Sequence, residues 1–322
     1  MFDHLESKQF PQMNVGFNST FQPSKMSIGL VVPIERYENS PTPHMIDQLE
    51  KIQLAEHLGF SAVWLRDVPF NVPSFGDAGQ VYDPFVYLGL LAGQTSRIAL
   101  GVASIILPVR HPAHIAKAVA SVDALSSGRM ILGVASGDRP DEYPAMNMSF
   151  QDRGERFREA FDYIRQMAEV NPAFTNLHGR LDGTLDMLPK PVSGNIPMLI
   201  TGASRQSSGW IAKNGDGWMI YPRSPKVQSD YVTVWRSRVA DHCAFDKPVM
   251  QSLYIDLVED ADASPQPIHL GFRSGVNFLR AHLTELQQAG INHVALNLRF
   301  NQADIEQTLR RLSTEILPEF TG

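Results

Sequence analysis

The chain has 322 residues, of which 43% are hydrophobic and 19% are charged, and its formal net charge is −6 at pH 7. This composition supports a large hydrophobic core and excludes a mostly disordered protein. The negative charge gives no electrostatic basis for binding nucleic acid or an anionic membrane. The single cysteine, Cys243, has no partner for an internal disulfide and no metal-ligand spacing to a histidine, so the sequence predicts a cytoplasmic protein without a metal site.

The first 25 residues lack the apolar core of a signal peptide, and no apolar run in the chain reaches transmembrane length. They are predicted to form an extended N-terminal arm that either packs on the body or stays mobile. Residues 26–322 show no composition break that would mark a linker, so they are predicted to form a single domain.

After the arm, apolar strand-like runs alternate with segments of helical periodicity. The predicted strands span residues 26–33, 60–65, 98–104, 130–135, 197–200, 218–221, 248–258 and 293–298. The predicted helices span residues 44–59, 83–95, 112–125, 152–170, 204–214, 226–243, a segment that ends at 290, and 303–317. Strict alternation implies a parallel sheet, and eight units favour a closed (β/α)8 TIM barrel with insertions over an open doubly wound sheet.

In such a barrel the functional site lies at the C-terminal ends of the strands. The long loops at 66–81 and 136–150, and the link after strand seven, are therefore predicted to form its walls. The interval 171–194 is predicted to hold a small hairpin or an irregular insertion. It could lie at either end of the barrel.

The run that follows predicted strand five, TGASRQSSGW, places Gly202 and several hydroxyl residues at the start of a predicted helix. Free backbone N–H groups, hydroxyl donors and the positive end of the helix dipole together favour phosphate binding. Ser204, Ser207 and Ser208 are the candidate donors, with Arg205 as a counter-charge. The alternative is that Ser204 only caps the helix, and both interpretations stay open.

Predicted strands three and four end in small residues, which allow a backbone to approach a bound molecule closely. Strand three ends at Ala103 and Ser104, and strand four is followed by Ser136, Gly137 and Asp138. From the residues alone, Ala103 and Ser104 are more typical of an ordinary buried strand than of a ligand site. The carboxylates after strand four are more typical of a solvated loop than of a metal site.

Three blocks of the sequence resemble the bacterial luciferase-like flavin monooxygenase family: GVASIILPVRHPAHIAKAVASVDALSSGRMILGVASGD, GASRQSSGWIAKNGDGW and FSAVWLRD. Their order and spacing fit over nearly the whole span 26–318. The resemblance implies a TIM barrel that binds flavin at its C-terminal mouth, in a homodimer. It also implies a cis peptide bond between Ala103 and Ser104 that supports the flavin ring. The cofactor-binding residues that it implies are Ala103, Ser104, Ser136, Gly137, Asp138, Gly202, Ser204, Ser207 and an arginine of helix four, either Arg153 or Arg156, with Arg156 preferred.

One motif departs from the family pattern. Members that oxygenate a substrate often carry Glu-His or His-His after strand two, whereas this chain has Arg66-Asp67-Val68-Pro69. This difference argues against light emission and luciferase-type aldehyde oxidation. The candidate catalytic residues are Asp67, in place of the missing acid, and Arg66, as a ligand of an anionic substrate or of flavin charge.

The function expected from the resemblance is that of an FMN-dependent oxidoreductase, a monooxygenase that uses reduced flavin and oxygen on a small organic substrate. NAD(P)H or a partner flavin reductase would reduce the FMN. Two alternatives remain: a deazaflavin (F420)-dependent dehydrogenase of the same superfamily, and a flavin-binding protein without catalytic activity.

Overall fold

The computed structural model describes residues 9–320. Its strands are β1 (Ser27–Val31), β2 (Ala62–Leu65), β3 (Ala99–Ile106), β4 (Met130–Ala135), β5 (Ala173–Asn176), β6 (Gly179–Asp182), β7 (Met198–Thr201), β8 (Gly217–Ile220), β9 (Val249–Leu257), β10 (Gln266–Ile268), β11 (Gly271–Ser274) and β12 (His293–Asn297). Its α-helices are α1 (Val15–Thr20), α2 (Gln48–Leu58), α3 (Pro84–Gln94), α4 (Pro112–Leu125), α5 (Glu142–Ala145), α6 (Arg153–Gln166), α7 (Ser208–Asn214), α8 (Pro225–Ala240), α9 (Val276–Gln288) and α10 (Ile305–Glu315). Short 3-10 helices lie at Pro73–Phe75, Leu107–Val109 and Leu317–Glu319.

Eight parallel strands close into a barrel, which confirms the predicted TIM-barrel fold. Around the barrel they follow the order β1-β2-β3-β4-β7-β8-β9-β12, and β12 pairs again with β1. The remaining strands form two hairpins. The β5–β6 hairpin lies in the interval where a hairpin or irregular insertion was predicted. The β10–β11 hairpin falls in the link after strand seven, which was predicted as a wall of the site but without strands.

Large side chains fill the barrel interior because glycines on neighbouring strands leave room for them. A Cβ at Gly101 would overlap the ring of Trp64, and a Cβ at Gly133 would overlap a backbone carbonyl and the side chain of Met219. The interior cluster runs from aromatic residues at the N-terminal end of the barrel to Ala103 at the C-terminal end. The barrel is therefore a packed core, and a ligand site must lie above it, at the mouth.

Part of the predicted N-terminal arm, residues 1–8, lies outside the described residues. Residues 9–25 include α1 and pack against the N-terminal end of the barrel, where Phe17 is only 1% exposed. The Asn14 side chain accepts a hydrogen bond from the Phe17 amide and caps the helix. Its Nδ2 group donates to Asp123 Oδ1 at 2.9 Å and to the Met130 carbonyl at 2.6 Å, so the described part of the arm is fixed to α4 and β4.

A buried chain of hydrogen bonds links the arm to the barrel interior. Trp64 Nε1 donates to His293 Nε2 at 2.8 Å, and Ser27 Oγ lies 2.7 Å from His293 Nδ1. Ser27 Oγ also donates to the Thr20 carbonyl at 2.6 Å. Because Nε2 accepts and Ser27 donates elsewhere, Nδ1 must carry the proton, so the imidazole is neutral with a fixed tautomer. Burial lowers the pKa of His293 to about 3.

This buried imidazole predicts a loss of stability in acid. An unfolded histidine titrates near pH 6.5, so between that pH and about 3 the unfolded state binds a proton that the folded state does not. The free energy of unfolding should therefore fall by about 1.4 kcal/mol per pH unit from this residue between about pH 6 and pH 4. Urea unfolding at several pH values should give a shallower dependence for His293→Gln than for the wild type. The exposed control His57→Gln should leave the dependence unchanged, and equal slopes in all three proteins would contradict the assignment.

Residues 9–320 contain no helix that is both long enough and apolar enough to cross a lipid bilayer.

Candidate functional site

The floor of the barrel mouth, which we define as residues 103–104 with Ala135, Thr201 and Gly202, consists of small residues at three adjacent strand ends. The peptide bond between Ala103 and Ser104 is cis, at the position predicted from the family resemblance. The pairing of β3 with β4 is interrupted at the same place, between Val102 and Ile105. All the floor residues are partly exposed, so the mouth is open above them.

Two hydroxyl groups face each other across this floor. Ser104 Oγ is hydrogen-bonded to Thr201 Oγ1, and both lie against the Met219 sulfur, at 3.6 Å and 3.3 Å. Met219 belongs to the packed interior of the barrel, so Ser104 and Thr201 form the top layer of the core. The floor therefore offers polar groups directly beneath a ligand in the mouth.

The exit of β4 is held in a fixed conformation. Gly137 has φ +74°, and a Cβ there would lie 2.7 Å from Ile106, so this position requires glycine. Ser136 is buried, and its carbonyl accepts a hydrogen bond from the Tyr143 hydroxyl. Asp138 is exposed at the rim. The structure thus places the three predicted residues of this exit together at the edge of the floor.

The exit of β7 differs from its prediction. Helix α7 begins at Ser208 instead of Ser204, and Ser207 is its N-cap, with Oγ accepting a hydrogen bond from the Trp210 amide at 3.2 Å. Ser204 is in a loop and donates to the Thr201 carbonyl at 2.8 Å. The prediction that Ser204 starts or caps a helix is therefore wrong. Positive φ angles explain the late start, because a right-handed helix requires negative φ: these are Gly202 (+55°), Ser204 (+41°) and Arg205 (+61°).

The predicted arginine of α6 does not contact this loop. Arg156 pairs with Asp152 at 3.0 Å. The α6 residues that hold the loop are Gly154, whose carbonyl accepts from Gln206 Nε2 at 2.7 Å, and Arg158, which donates to Gln206 Oε1 at 2.9 Å. The loop that contains Ser204 is therefore held against the start of α6 by Gly154 and Arg158, and not by Arg156.

The alternative arginine, Arg153, has a different environment. Its guanidinium stacks on the Phe150 ring at 3.5 Å and donates to the Phe150 carbonyl at 2.6 Å. Its Nε atom is buried without a hydrogen-bond partner. Arg153 thus retains an unused donor, whereas Arg156 is engaged with Asp152.

Asp67, predicted as a catalytic acid, is held in a saturated network. Its carboxylate accepts two hydrogen bonds from Arg110, at 2.7 Å and 3.1 Å, and one from the Ile106 amide at 3.1 Å. Its side chain is 1% exposed. A carboxylate with these contacts fixes the chain that follows the cis peptide, and the geometry favours this positioning role over direct contact with a substrate.

Arg66 belongs to an ion cluster that the sequence did not reveal. Asp77, from the long loop after β2, accepts a hydrogen bond from Arg66 at 2.5 Å and forms an ion pair with Arg299 at 3.1 Å, and the Tyr37 hydroxyl donates to it at 3.1 Å. Burial opposes ionisation, but Arg66, the Gly79 amide and Arg299 together hold the pKa of Asp77 below its usual value. The only sequence signal was that Asp77 lies in a predicted wall loop and Arg299 follows strand eight.

A second buried ion pair, Arg139 and Glu142, lies beside this cluster. The two side chains are 3.9 Å apart, and Arg139 also donates to the Asp77 carbonyl at 3.1 Å. Burial raises the pKa of Glu142, although Arg139 partly offsets the effect. Among the described residues, Arg139 Nη1 and both Glu142 carboxylate oxygens are buried without hydrogen-bond partners, so the charges of these two side chains offset each other. Arg299 Nε is also buried without a partner there, and an unpaired cationic donor matches an anionic ligand.

In the described part of the chain, no cluster of three or more histidine, cysteine, aspartate or glutamate side chains is arranged to hold a metal ion. The mouth instead combines an open floor of small residues, two hydroxyl groups on that floor and, away from the floor, a buried arginine donor without a partner among the described residues. The floor suits a planar organic ligand.

Comparison with known proteins agrees with this geometry. The family model for luciferase-like monooxygenases matches residues 26–315. The chain is 29% identical over 213 residues to an F420-dependent hydroxymycolic acid dehydrogenase of Mycobacterium tuberculosis, covering 65% of this chain and 56% of that protein. It is 25% identical over 202 residues to the oxygenase component of a flavin-dependent trigonelline monooxygenase of Acinetobacter baylyi, covering 61% of this chain and 54% of that protein.

The fold has close structural neighbours. An F420-dependent secondary alcohol dehydrogenase, solved with an F420-acetone adduct, superposes with a TM-score of 0.75 at 18% identity, covering 92% of this chain and all of that one. At this identity the superposition shows the fold alone. The family assignment rests on the sequence model, which spans most of the chain: the protein belongs to the luciferase-like monooxygenase family of oxidoreductases.

Proposed function

We propose that the protein is an FMN-dependent oxidoreductase that acts as a monooxygenase on a small organic substrate at the mouth of the barrel. The observation that carries the proposal is the open floor of small, partly exposed residues at the ends of β3, β4 and β7. Such a floor lets a flat ring approach the backbone closely, which larger side chains at these positions would prevent.

The residues present fit this cofactor. Ala103 and Ser104 would support the ring. The polar end would lie toward the exits of β4 and β7, where hydroxyl and backbone donors cluster; the residues concerned are Ser136, Gly137, Asp138, Gly202, Ser204 and Ser207. When bound, the flavin supplies the redox chemistry, which none of the protein side chains provides. The protein itself orients the reactants and excludes water.

Arg66 and Asp67 would have different roles in this reaction. Arg66 lies in the Asp77 cluster at the mouth and remains 24% exposed, so it can contact a ligand. Asp67 would position the mouth floor through the Ile106 amide and Arg110. Replacing Arg66 by Gln should therefore weaken the binding of a ligand in the mouth. Replacing Asp67 should instead disturb the conformation of the mouth floor.

A deazaflavin-dependent dehydrogenase is the second candidate. Relatives with this cofactor appear alongside flavin monooxygenases among the similar proteins, so sequence similarity does not favour one over the other. Competition between FMN and coenzyme F420 for the purified protein separates the two. Binding of F420 in preference to FMN would replace the monooxygenase proposal by the dehydrogenase one.

The proposed partners follow from the reaction. Reduced cofactor would come from NAD(P)H or from a partner flavin reductase, and the protein would act as a homodimer. Apolar residues on α3 and α4 could form the dimer surface, but α4 directs Ile115 and Val119 into the protein core. On α3, by contrast, Val86 is 75% exposed and Leu90 is 48% exposed, so α3 is the better candidate surface.

The polar-end assignment predicts a loss of cofactor affinity in a double variant. Replacing Ser204 and Ser207 by alanine should weaken FMN binding about tenfold or more, because a hydrogen bond to a charged group contributes about 1.5–3 kcal/mol. Flavin fluorescence titration measures the affinity, and circular dichroism checks the fold. Ser313→Ala is the matched control, since its hydroxyl also donates to a backbone carbonyl at 2.8 Å but lies on α10. Unchanged FMN affinity in the double variant would refute the assignment.

A further inference from the structure

The strand order divides the mouth of the barrel into two arcs. The arc formed by the ends of β3, β4 and β7 carries the small floor residues and the hydroxyl groups. The opposite arc, formed by the ends of β9, β12, β1 and β2, carries large polar and aromatic side chains. Its members are Tyr254 on β9, Arg299 after β12, Tyr37 after β1, and Arg66 after β2, with Asp77 between them. The second arc has no role in holding the cofactor under the proposed function.

Within this second arc, the ion cluster around Asp77 has a surplus of one positive charge. Two guanidinium groups, Arg66 and Arg299, share the single carboxylate of Asp77, at 2.5 Å and 3.1 Å from the same oxygen, Oδ2. The neighbouring Arg139 is offset by Glu142 at 3.9 Å. Asp138 also faces Arg139 from the exit of β4 but is exposed to solvent. The surplus therefore belongs to Arg66 and Arg299.

One of these arginines also has an unused donor. The Arg299 side chain is 11% exposed, and its Nε atom is buried without a hydrogen-bond partner. Its Nη1 atom forms the ion pair with Asp77, and its Nη2 atom donates to the carbonyls of Ser40 and Gly76. A buried cationic donor without an acceptor is costly, so this position favours a ligand that brings a negative charge.

Aromatic rings stand beside the surplus charge. His269 is at the tip of the β10–β11 hairpin, and its ring centroid lies 5.5 Å from that of Tyr254 and 6.4 Å from that of Phe300. Tyr254 and Phe300 are 5.3 Å apart, and the Arg299 guanidinium lies 5.5 Å from the Phe300 ring. The Tyr254 amide donates to the Leu270 carbonyl, which fixes the hairpin tip next to the mouth.

We propose that this arc binds the substrate, and that the substrate is a small organic monoanion with a planar apolar body, such as an aromatic carboxylate. Arg66 and Arg299 hold the anionic group, and Tyr254, His269 and Phe300 contact the body. This inference rests on the proposed function, because the arc faces the floor on which the cofactor would lie. Planar carboxylates match the fork of a guanidinium, and flat rings pack on the aromatic side chains.

Binding of simple probes to the cofactor-loaded protein tests the proposal. Benzoate should bind at least about tenfold more tightly than benzamide, which has the same shape without the charge, and more tightly than acetate, which lacks the ring. Isothermal titration calorimetry measures each affinity. Equal affinities for benzoate and benzamide would overturn the charge assignment, and equal affinities for benzoate and acetate would overturn the aromatic one.

Variants of Arg299 and His269 test where benzoate binds. Arg299→Gln should weaken benzoate binding about tenfold while changing cofactor affinity less than about twofold. His269→Ala, at an exposed hairpin tip, should weaken benzoate binding several-fold and leave acetate binding unaffected. Arg310→Gln is the matched control, because it removes the same charge from the exposed surface of α10. Unchanged benzoate affinity in both test variants would refute the site.

Two further outcomes separate this inference from the proposed function. If Arg299→Gln weakens cofactor and benzoate binding by the same factor, the arginines hold the cofactor and the substrate assignment is wrong. If the wild-type protein binds neither FMN nor F420, the proposed function fails. Benzoate titrated into the cofactor-free protein then still tests the second arc. Benzoate binding that is tighter than benzamide binding, and that is lost in Arg299→Gln, would support an anion site, whereas no such binding would refute it.

Discussion

Replacement of Asp77 by alanine is expected to lower the free energy of unfolding by about 3–5 kcal/mol, because it leaves buried charges without a partner. Arg66 and Arg299 both lose the one carboxylate that pairs with them in residues 9–320, and the Tyr37 hydroxyl and the Gly79 amide lose an acceptor. The lowered pKa of Asp77 has the same cause, because Arg66 and Arg299 favour the ionised form of its carboxyl group. A carboxylate whose folded pKa is depressed contributes stability above its unfolded pKa and loses it as the pH falls.

Urea unfolding at neutral pH measures this effect. Asp77→Asn, which keeps the size and part of the hydrogen bonding, should lose less stability than Asp77→Ala. The matched control is Glu306→Ala, which breaks the exposed Glu306–Arg310 pair and should cost no more than about 1 kcal/mol. If Asp77→Ala and Glu306→Ala were equally stable, the Asp77 cluster would not be holding the loop after β2 to the barrel.

Replacement of Phe17 by alanine is expected to destabilise the protein by a similar amount, about 3–5 kcal/mol. Phe17 lies at the N-terminal end of the barrel and packs on Phe21 with ring centroids 5.1 Å apart. Both rings belong to the cluster that contains Trp64 and Met219, which supports the mouth floor from below. Removing the ring would leave a cavity that the surrounding strands cannot fill without moving.

Thermal and urea unfolding measure this loss as well. Val15→Ala is the control from the same helix, because Val15 is 55% exposed and its truncation should change stability by no more than about 0.5 kcal/mol. Equal stability of the two variants would mean that the described part of the N-terminal arm does not contribute to the barrel core.

The barrel could be predicted from the sequence because its signals are local. Each strand is a short apolar run, and each helix shows its own periodicity, so the alternation is visible without tertiary information. The β10–β11 hairpin was missed for the opposite reason. Its strands have three and four residues in a polar segment, and their stability comes from the pairing of β11 with the distant β9.

The site was predictable only in part. The cis bond at Ala103–Ser104 followed from family resemblance, since nothing in a run of small residues indicates it. The start of α7 was misplaced because hydroxyl residues favour caps and turns alike, and the positive φ angles of Ser204 and Arg205 are not visible in the sequence. The partnership of Asp77 with Arg299 spans more than 200 residues and depends on barrel closure, so no local pattern could reveal it.

A crystal structure of the protein with FMN would show where the cofactor binds. The flavin ring is expected to lie over the Ala103–Ser104 peptide, with the phosphate toward the exits of β4 and β7. A separate cleft of about 590 Å³ provides the alternative location, and it is lined by Tyr82 just before α3, Phe85 of α3 and His114 of α4. Flavin bound in that cleft, with the mouth floor left uncovered, would refute the proposed cofactor site.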